Sequence, residues 1–242
     1  MALAKITDGR VWLHSYDVSG EVNNITLNGT AAELDATNMN SAGWREKRAG
    51  IKEAEASVAG FYDAASLDAA ADALHGTNGI QTYAVDDIAG SVAYFGTGPI
   101  LTVERGFPVG EMATMSVTAK ATGGVRRGAI LFPKTTATAT ANGAALQHGA
   151  VSASQTLWAC LHVFSASAGD TLDVVVASDT ASNFPSTTSR IAFTQIAGAV
   201  TGSEIKSLAG AITDDYWRVQ YTIAGNGSES FSFAVSIAIC TT

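Results

Sequence analysis

The chain has 242 residues, 47% of them apolar and 15% charged, and carries a net charge of −8 at neutral pH. That length suits one large β domain or two of ordinary size. The acidic balance argues against a nucleic-acid-binding surface, which needs clustered Lys and Arg, but not against a surface that nucleic acid slides past without sticking.

The abundance of Ala, Thr, Ser and Gly suits short strands and tight turns better than long helices. Residues 1–12 carry Lys5, Asp8 and Arg10 and lack the apolar core of a secretory signal. No run reaches the roughly 18 apolar residues of a membrane helix, so no membrane partner is expected. Cys160 and Cys240 each sit in an apolar run and read as buried free thiols of a chain made in the cytoplasm. On that reading the glycosylation patterns at Asn24, Asn28 and Asn226 are chance matches.

In chain order, residues 16–20 read as a turn before a strand with Ile25 and Leu27 on one face. Residues 28–50 show no clean period and predict a long connection, of the kind that is usually functional. The stretch 51–63, IKEAEASVAGFYD, alternates strictly. Ala54, Ala56 and Val58 point one way and Glu53, Glu55 and Ser57 the other, which is the mark of a strand with one dry and one wet face. Leu67, Ala70, Ala71 and Leu74 then form a helical stripe within 64–75, with Asp63 or Ser66 as N-cap and Gly76 just past the end. Strands return at 81–85, 91–95, 100–105 and 111–121. In the last of these Met115, Val117 and Ala119 alternate with Ser116, Thr118 and Lys120. The glycines at 76–79, 96–98 and 123–124 fit turns.

Residues 134–142, KTTATATAN, offer no bulky side chain to bury and read as interdomain linker. Strands follow at 157–164, 170–178 and 190–196. Residues 216–223 place Trp217, Val219, Tyr221 and Ile223 on one face. Residues 231–239 place Phe231, Phe233, Val235, Ile237 and Ile239 opposite small residues, and the turn 225–227 predicts that these two strands form a hairpin. The expected class is mainly β. An N-terminal antiparallel sandwich or barrel with one packed helix (1–134) leads through an Ala/Thr-rich linker (135–150) to a C-terminal all-β sandwich (151–242). Neither half is basic.

No catalytic or metal-binding constellation stands out. His14, His75, His148 and His162 are scattered, with no spacing that places two imidazoles on one metal. Nucleophile elbow, phosphate-cradling loop and redox cysteine pair are all missing from the pattern, so neither an enzyme nor a cofactor is expected. Glu53 and Glu55 are a solvated face by default, as are Arg45–Arg48 and Arg126–Arg127. Tyr216 and Arg218 are left as a possible outer-surface contact, with Trp217 turned into the core.

Several pieces, taken in order, resemble the major tail tube proteins of long-tailed bacteriophages. They are Asp17-Val18-Ser19-Gly20, Glu33-Leu34-Asp35-Ala36-Thr37, Trp44-Arg45-Glu46, Gly50-Ile51-Lys52 and Gly60-Phe61-Tyr62-Asp63. The match covers about residues 10–130, and the C-terminal half looks like sandwich domains appended to phage virion proteins, here expected outside the tube. The resemblance implies a virion tail protein, assembled in the host cytoplasm, whose hexameric rings stack around a DNA-conducting bore. Its partners would be copies of itself, a tape measure and a tail terminator, with DNA passing unbound. It implies channel-lining roles for Glu53, Glu55 and Ser57, and ring stacking by a loop holding Glu33, Asp35, Trp44, Arg45, Glu46, Lys47 and Arg48. A capsid decoration or minor tail protein, or a carbohydrate-binding adhesin module, are the alternatives.

Overall fold

The computed structural model describes residues 8–41, 44–225 and 227–241; Lys5 and Asn226 therefore lie outside the described residues. The chain is mainly β. The first strands are β1 (Arg10–Leu13), β2 (Tyr16–Asp17), β3 (Val22–Asp35) and β4 (Lys47–Phe61), followed by the helix α1 (Leu67–Leu74). Next come β5 (Asn78–Ala84), β6 (Val92–Gly106), β7 (Thr114–Lys120), β8 (Arg126–Ala137), β9 (Ala141–Asn142) and β10 (Leu146–Gln147). The remainder holds β11 (Gln155–Ala166), β12 (Thr171–Asp179), β13 (Thr188–Ala192), β14 (Ile196–Ala197), β15 (Gly202–Ala209), β16 (Tyr216–Ala224) and β17 (Phe231–Thr241).

The compact units do not follow the expected division near residue 134. One unit comprises residues 1–20, 79–96 and 126–242, and the other residues 21–78 and 97–125. The run read as a linker is structured. Its Thr135, Thr136 and Ala137 end β8 and pair with Phe233, Ser232 and Phe231 of β17, and Ala141 and Asn142 form β9 against β16. A strand needs no bulky side chains when its neighbours supply them: Ala137 is buried in the phenylalanine-rich core beside it.

The first unit is a sandwich. One sheet runs β15-β11-β17-β8-β6-β5-β1-β2 and the other β10-β16-β12-β13, with β9 and β14 attached. Leu131, Leu157, Leu161, Phe231, Phe233, Val235 and Ile237 of the first sheet meet Leu172, Val174, Val176, Trp217 and Val219 of the second. β16 and β17 do not form the expected hairpin. β16 pairs with β12 and β17 with β11 and β8, so the turn between them crosses from one sheet to the other. Both faces of β17 are buried. Its large side chains fill the sandwich core, while small Ala234 and Ala238 lie in second clusters under Trp12 and Phe95. Small residues there leave room for the rings that cover them.

The second unit is a four-stranded antiparallel sheet, β3-β4-β7-β6, with α1 against β7. β6 is continuous through the glycines read as a turn. A Cβ on Gly98 would lie 1.9 Å from the Lys120 carbonyl, so glycine serves close backbone approach there and not chain reversal. The helix is shorter than expected. The Asp63 carboxylate accepts from the amides of Ala65 and Ser66 in the turn ahead of it, and Gly76 takes the left-handed conformation that ends it (φ 71°).

Candidate assembly surfaces

In an antiparallel ladder, residues directly opposite one another project from the same side of the sheet. The register of the second unit therefore sorts its side chains into rows. Ile25, Val58, Val117 and Val103 form one row, and Leu27, Ala56, Ala119 and Ile100 the next. This is the dry face: Val58, Val117, Ala119 and Ile100 are buried, as is the α1 stripe of Leu67, Ala70, Ala71 and Leu74. The opposite face is mostly polar, with Ala59 and Phe61 on it toward the end of β4. Thr26, Ser57, Thr118 and Thr102 make one row, Asn28, Glu55 and Lys120 another, and Thr30 lies opposite Glu53. The three residues expected to share a wet face, Glu53, Glu55 and Ser57, do share it.

Alternation puts Lys120 on the wet face of its own strand but does not show it beside the glutamates. In the structure its ammonium pairs with Glu53 and lies 3.8 Å from Glu55. Its bond to Glu53 leads the effects that raise the lysine pKa. With Glu104 on the same face, within 3.4 Å of the Ser116 hydroxyl, three carboxylates face one lysine, and that lysine is already engaged. A phosphate approaching this face meets net negative charge and no free cation among these residues.

The unit is braced by a second group that the sequence did not reveal. Arg105 of β6 donates to Asp68 and Asp72, which stand one turn apart on α1, each over 2.6 Å. Tyr62, just past the end of β4, donates to the other Asp68 oxygen over 2.9 Å. The i, i+4 aspartates were visible in the sequence; the arginine that joins them comes from over thirty residues away.

Residues 28–50 are not an irregular connection. β3 and β4 pair continuously from Val22 opposite Gly60 out to Asp35 opposite Lys47, interrupted by two register shifts. The outer part of this ribbon is exposed on both faces, so no alternation of polarity marks it in the sequence. Glu33 and Asp35 lie in β3; across from them in β4, Lys47 faces Asp35, Arg48 faces Leu34 and Ala49 faces Glu33. Lys47 reaches Glu33 over 2.6 Å. Trp44, Arg45 and Glu46 occupy the turn, where the Glu46 amide donates to the Thr37 hydroxyl and the Thr37 amide to Asp35. Bonds from Thr37 hold the Asp35 carboxyl below its usual range. Trp44 is 80% exposed, and Leu34 and Ile51 are exposed with it.

Tyr216 and Arg218 lie in β16 of the first unit. The Arg218 guanidinium stacks 4.1 Å from the Phe184 ring and donates to Thr187, so the chain itself holds it. Trp217 is buried as expected, and its indole donates to the Gly149 carbonyl.

His162 is fully buried in the first unit. Its Nδ1 lies 2.7 Å from the His14 carbonyl and must donate to it, which leaves Nε2 to accept from the Thr82 hydroxyl at 2.8 Å. Burial pushes its pKa down to about 4, against the opposing effect of the His14 carbonyl, and pushes the neighbouring Cys160 thiol up to about 12. Both groups are neutral and enclosed, as structural residues are. The unfolded chain takes up a proton at His162 near pH 6.5, whereas the folded chain does so only near pH 4. This site therefore gives its full stability above pH 6.5 and loses about 3 kcal/mol as pH falls through that window. His162→Gln keeps a donor and an acceptor without titrating. Urea midpoints measured from pH 7 to 4.5 should fall more steeply for the natural chain than for this variant. Parallel profiles would show that His162 does not titrate as its burial requires.

No family model and no curated protein matches the chain. Similar solved structures include a chain from the virion of a native gene transfer agent particle, at 21% identity over 43% of this chain and 82% of that one (TM-score 0.38). The SPP1 tail tube protein shows 13% identity over 50% of this chain and 76% of that one (TM-score 0.39). The SPP1 Dit protein, of the hub adsorption apparatus in phages infecting Gram-positive hosts, shows 12% identity over 97% of this chain and 100% of that one (TM-score 0.37).

Proposed function

We propose that this chain is a structural subunit of a phage tail tube, in which the β3-β4-β7-β6 sheets of successive copies join into a closed wall around a channel. The observation that carries this reading is the sheet itself. It has one acidic face, one face covered by a helix, and two margins without a partner strand among the described residues. β3 pairs with β4 alone, and β6 beyond its bridge to His75 pairs with β7 alone. The two marginal strands run in opposite directions, so β6 of one copy can pair antiparallel with β3 of the next. Unpaired edges are a hazard in a monomer and a joining surface in a ring.

The arithmetic suits the channel. A hexameric ring would contribute roughly two dozen strands. At about 4.8 Å spacing and about 40° tilt these close a barrel about 45–50 Å across its backbone, which leaves room for a DNA duplex inside. Glu53, Glu55 and Ser57 would line the bore, with Lys120 held by the glutamates and unable to dock phosphate. The β3–β4 arm would reach from one ring to the next, with a tape measure inside the bore and a tail terminator at its end as further partners. The chain would carry out no chemistry.

The reading is tested on the purified protein by sedimentation and negative-stain microscopy. The natural chain should elongate into hollow tubes with rising concentration. Trp44→Ala with Arg45→Ala should keep the native circular dichroism and lose elongation. A natural chain that stays monomeric when concentrated would overturn the reading. Normal tubes from the double variant would return the arm tip to solvated surface.

A further inference from the structure

Two clusters of exposed apolar side chains occupy opposite ends of the second unit's sheet. At the arm end are Leu34, Met39, Trp44 and Ile51. At the other end, in the turn between β6 and β7 and beside the end of β4, are Phe61, Phe107, Val109 and Met112, with Phe107 63% and Met112 66% exposed. The register fixes their placement: Phe61 and Gly106 both lie opposite Thr114, while Lys47 lies opposite Asp35 at the far end. Fifteen residues of β4 separate the two ends, which is about 50 Å of extended chain.

The charges at the two ends are complementary. Arg45, Lys47, Arg48 and Lys52 outnumber Glu33, Asp35 and Glu46 at the arm, and Lys47 is the one held by Glu33. In a chain of net charge −8 the arm is thus locally basic. The far end carries Glu21, Asp63 and Glu111, and its nearby arginine, Arg105, is engaged by Asp68 and Asp72. Phe107 is held at that end by an edge-on contact with Tyr62, with ring centroids 5.0 Å apart, so the patch has a fixed apolar floor.

We infer that the turn holding Phe107, Val109 and Met112, rimmed by Asp63 and Glu111, is the seat for the arm tip of a second copy, with Trp44 on the apolar floor and Arg45 and Arg48 against the acidic rim. Donor and acceptor are different surfaces of one chain, so the contact is head-to-tail and cannot close on a pair of subunits. It gives a stack of rings one polarity and open growth. This rests on the tube reading above and supplies the surface that the arm meets.

The test is a charge exchange together with a substitution in the seat. Val109→Glu alters a fully exposed side chain, and its fold is checked by thermal melting. It should leave ring formation intact and reduce tube mass at a given concentration about tenfold or more. Arg45→Glu with Arg48→Glu should do the same, and adding Glu111→Lys, which leaves the Asp63 turn ahead of α1 intact, should restore elongation. Full-length tubes from Val109→Glu, or no restoration by the exchange while the singly reversed variant fails, would overturn the seat. A natural chain that forms neither rings nor tubes would instead overturn the tube reading on which the seat rests, and the seat with it.

Discussion

Separating the chain into residues 1–134 and 135–242 is expected to leave two fragments in neither of which the sandwich folds. β17 pairs with β8 from Ala129 opposite Ile237 to Ala137 opposite Phe231, and the cut would pass through that ladder. The N-terminal fragment would keep Ile130, Leu131 and Phe132 without the strand that covers them. The C-terminal fragment would lose Trp12, Ala84, Ala93 and Ile130 from the cluster around Ala234. Several fully buried large side chains become exposed at once, each worth about 1.5–3 kcal/mol, against a total stability of about 5–15 kcal/mol for a domain. Neither fragment should show the cooperative urea transition of the sandwich, while mixing or co-expression should regenerate it. Two independently cooperative fragments would contradict the strand order of the sandwich.

The second large effect concerns Glu53 and Glu55. Replacing both with Lys turns the row around Lys120 from a neutralised cation into three adjacent ammonium groups in each copy. Neither glutamate packs in the core, and both lie on the open polar face. The chain should therefore fold and tubes should form, with some loss from repulsion that salt screens. In the proposed tube a bore lined this way would attract phosphate over its whole length. Since log affinity scales with the number of phosphates contacted, DNA should stall in it. Phage assembled on the double variant should adsorb normally and deliver DNA at least about tenfold more slowly at low ionic strength, with partial recovery as salt rises. Unchanged delivery would separate these glutamates from any role in passage.

The β3–β4 region shows why some of this could be read from the sequence and some could not. The inner half of β4 buries one face, so burial imposes alternation there, and Glu53, Glu55 and Ser57 fall on the side that the alternation gives them. The outer half of the same strand has no core beneath it. Nothing there selects for alternation, and a paired ribbon looked like a loop. Gly98 misled for a related reason: glycine marks a reversal of chain direction or the close passage of another strand, and only the position of Lys120 distinguishes them. The run 134–142 was read as a linker because its side chains are small, yet the bulk it packs against comes from β17, nearly a hundred residues later. Lys120 beside Glu53, and Arg105 between Asp68 and Asp72, are likewise facts about register. The alternation of a single strand says which face a residue takes but not who stands next to it.

The measurement closest to the central claim is an electron cryomicroscopy structure of the assembled chain. The account predicts a continuous barrel in which β6 of one copy pairs antiparallel with β3 of its neighbour, with Glu53 and Glu55 on the inner wall. Assemblies in which those two margins do not meet, or in which both glutamates face the outside, would contradict it.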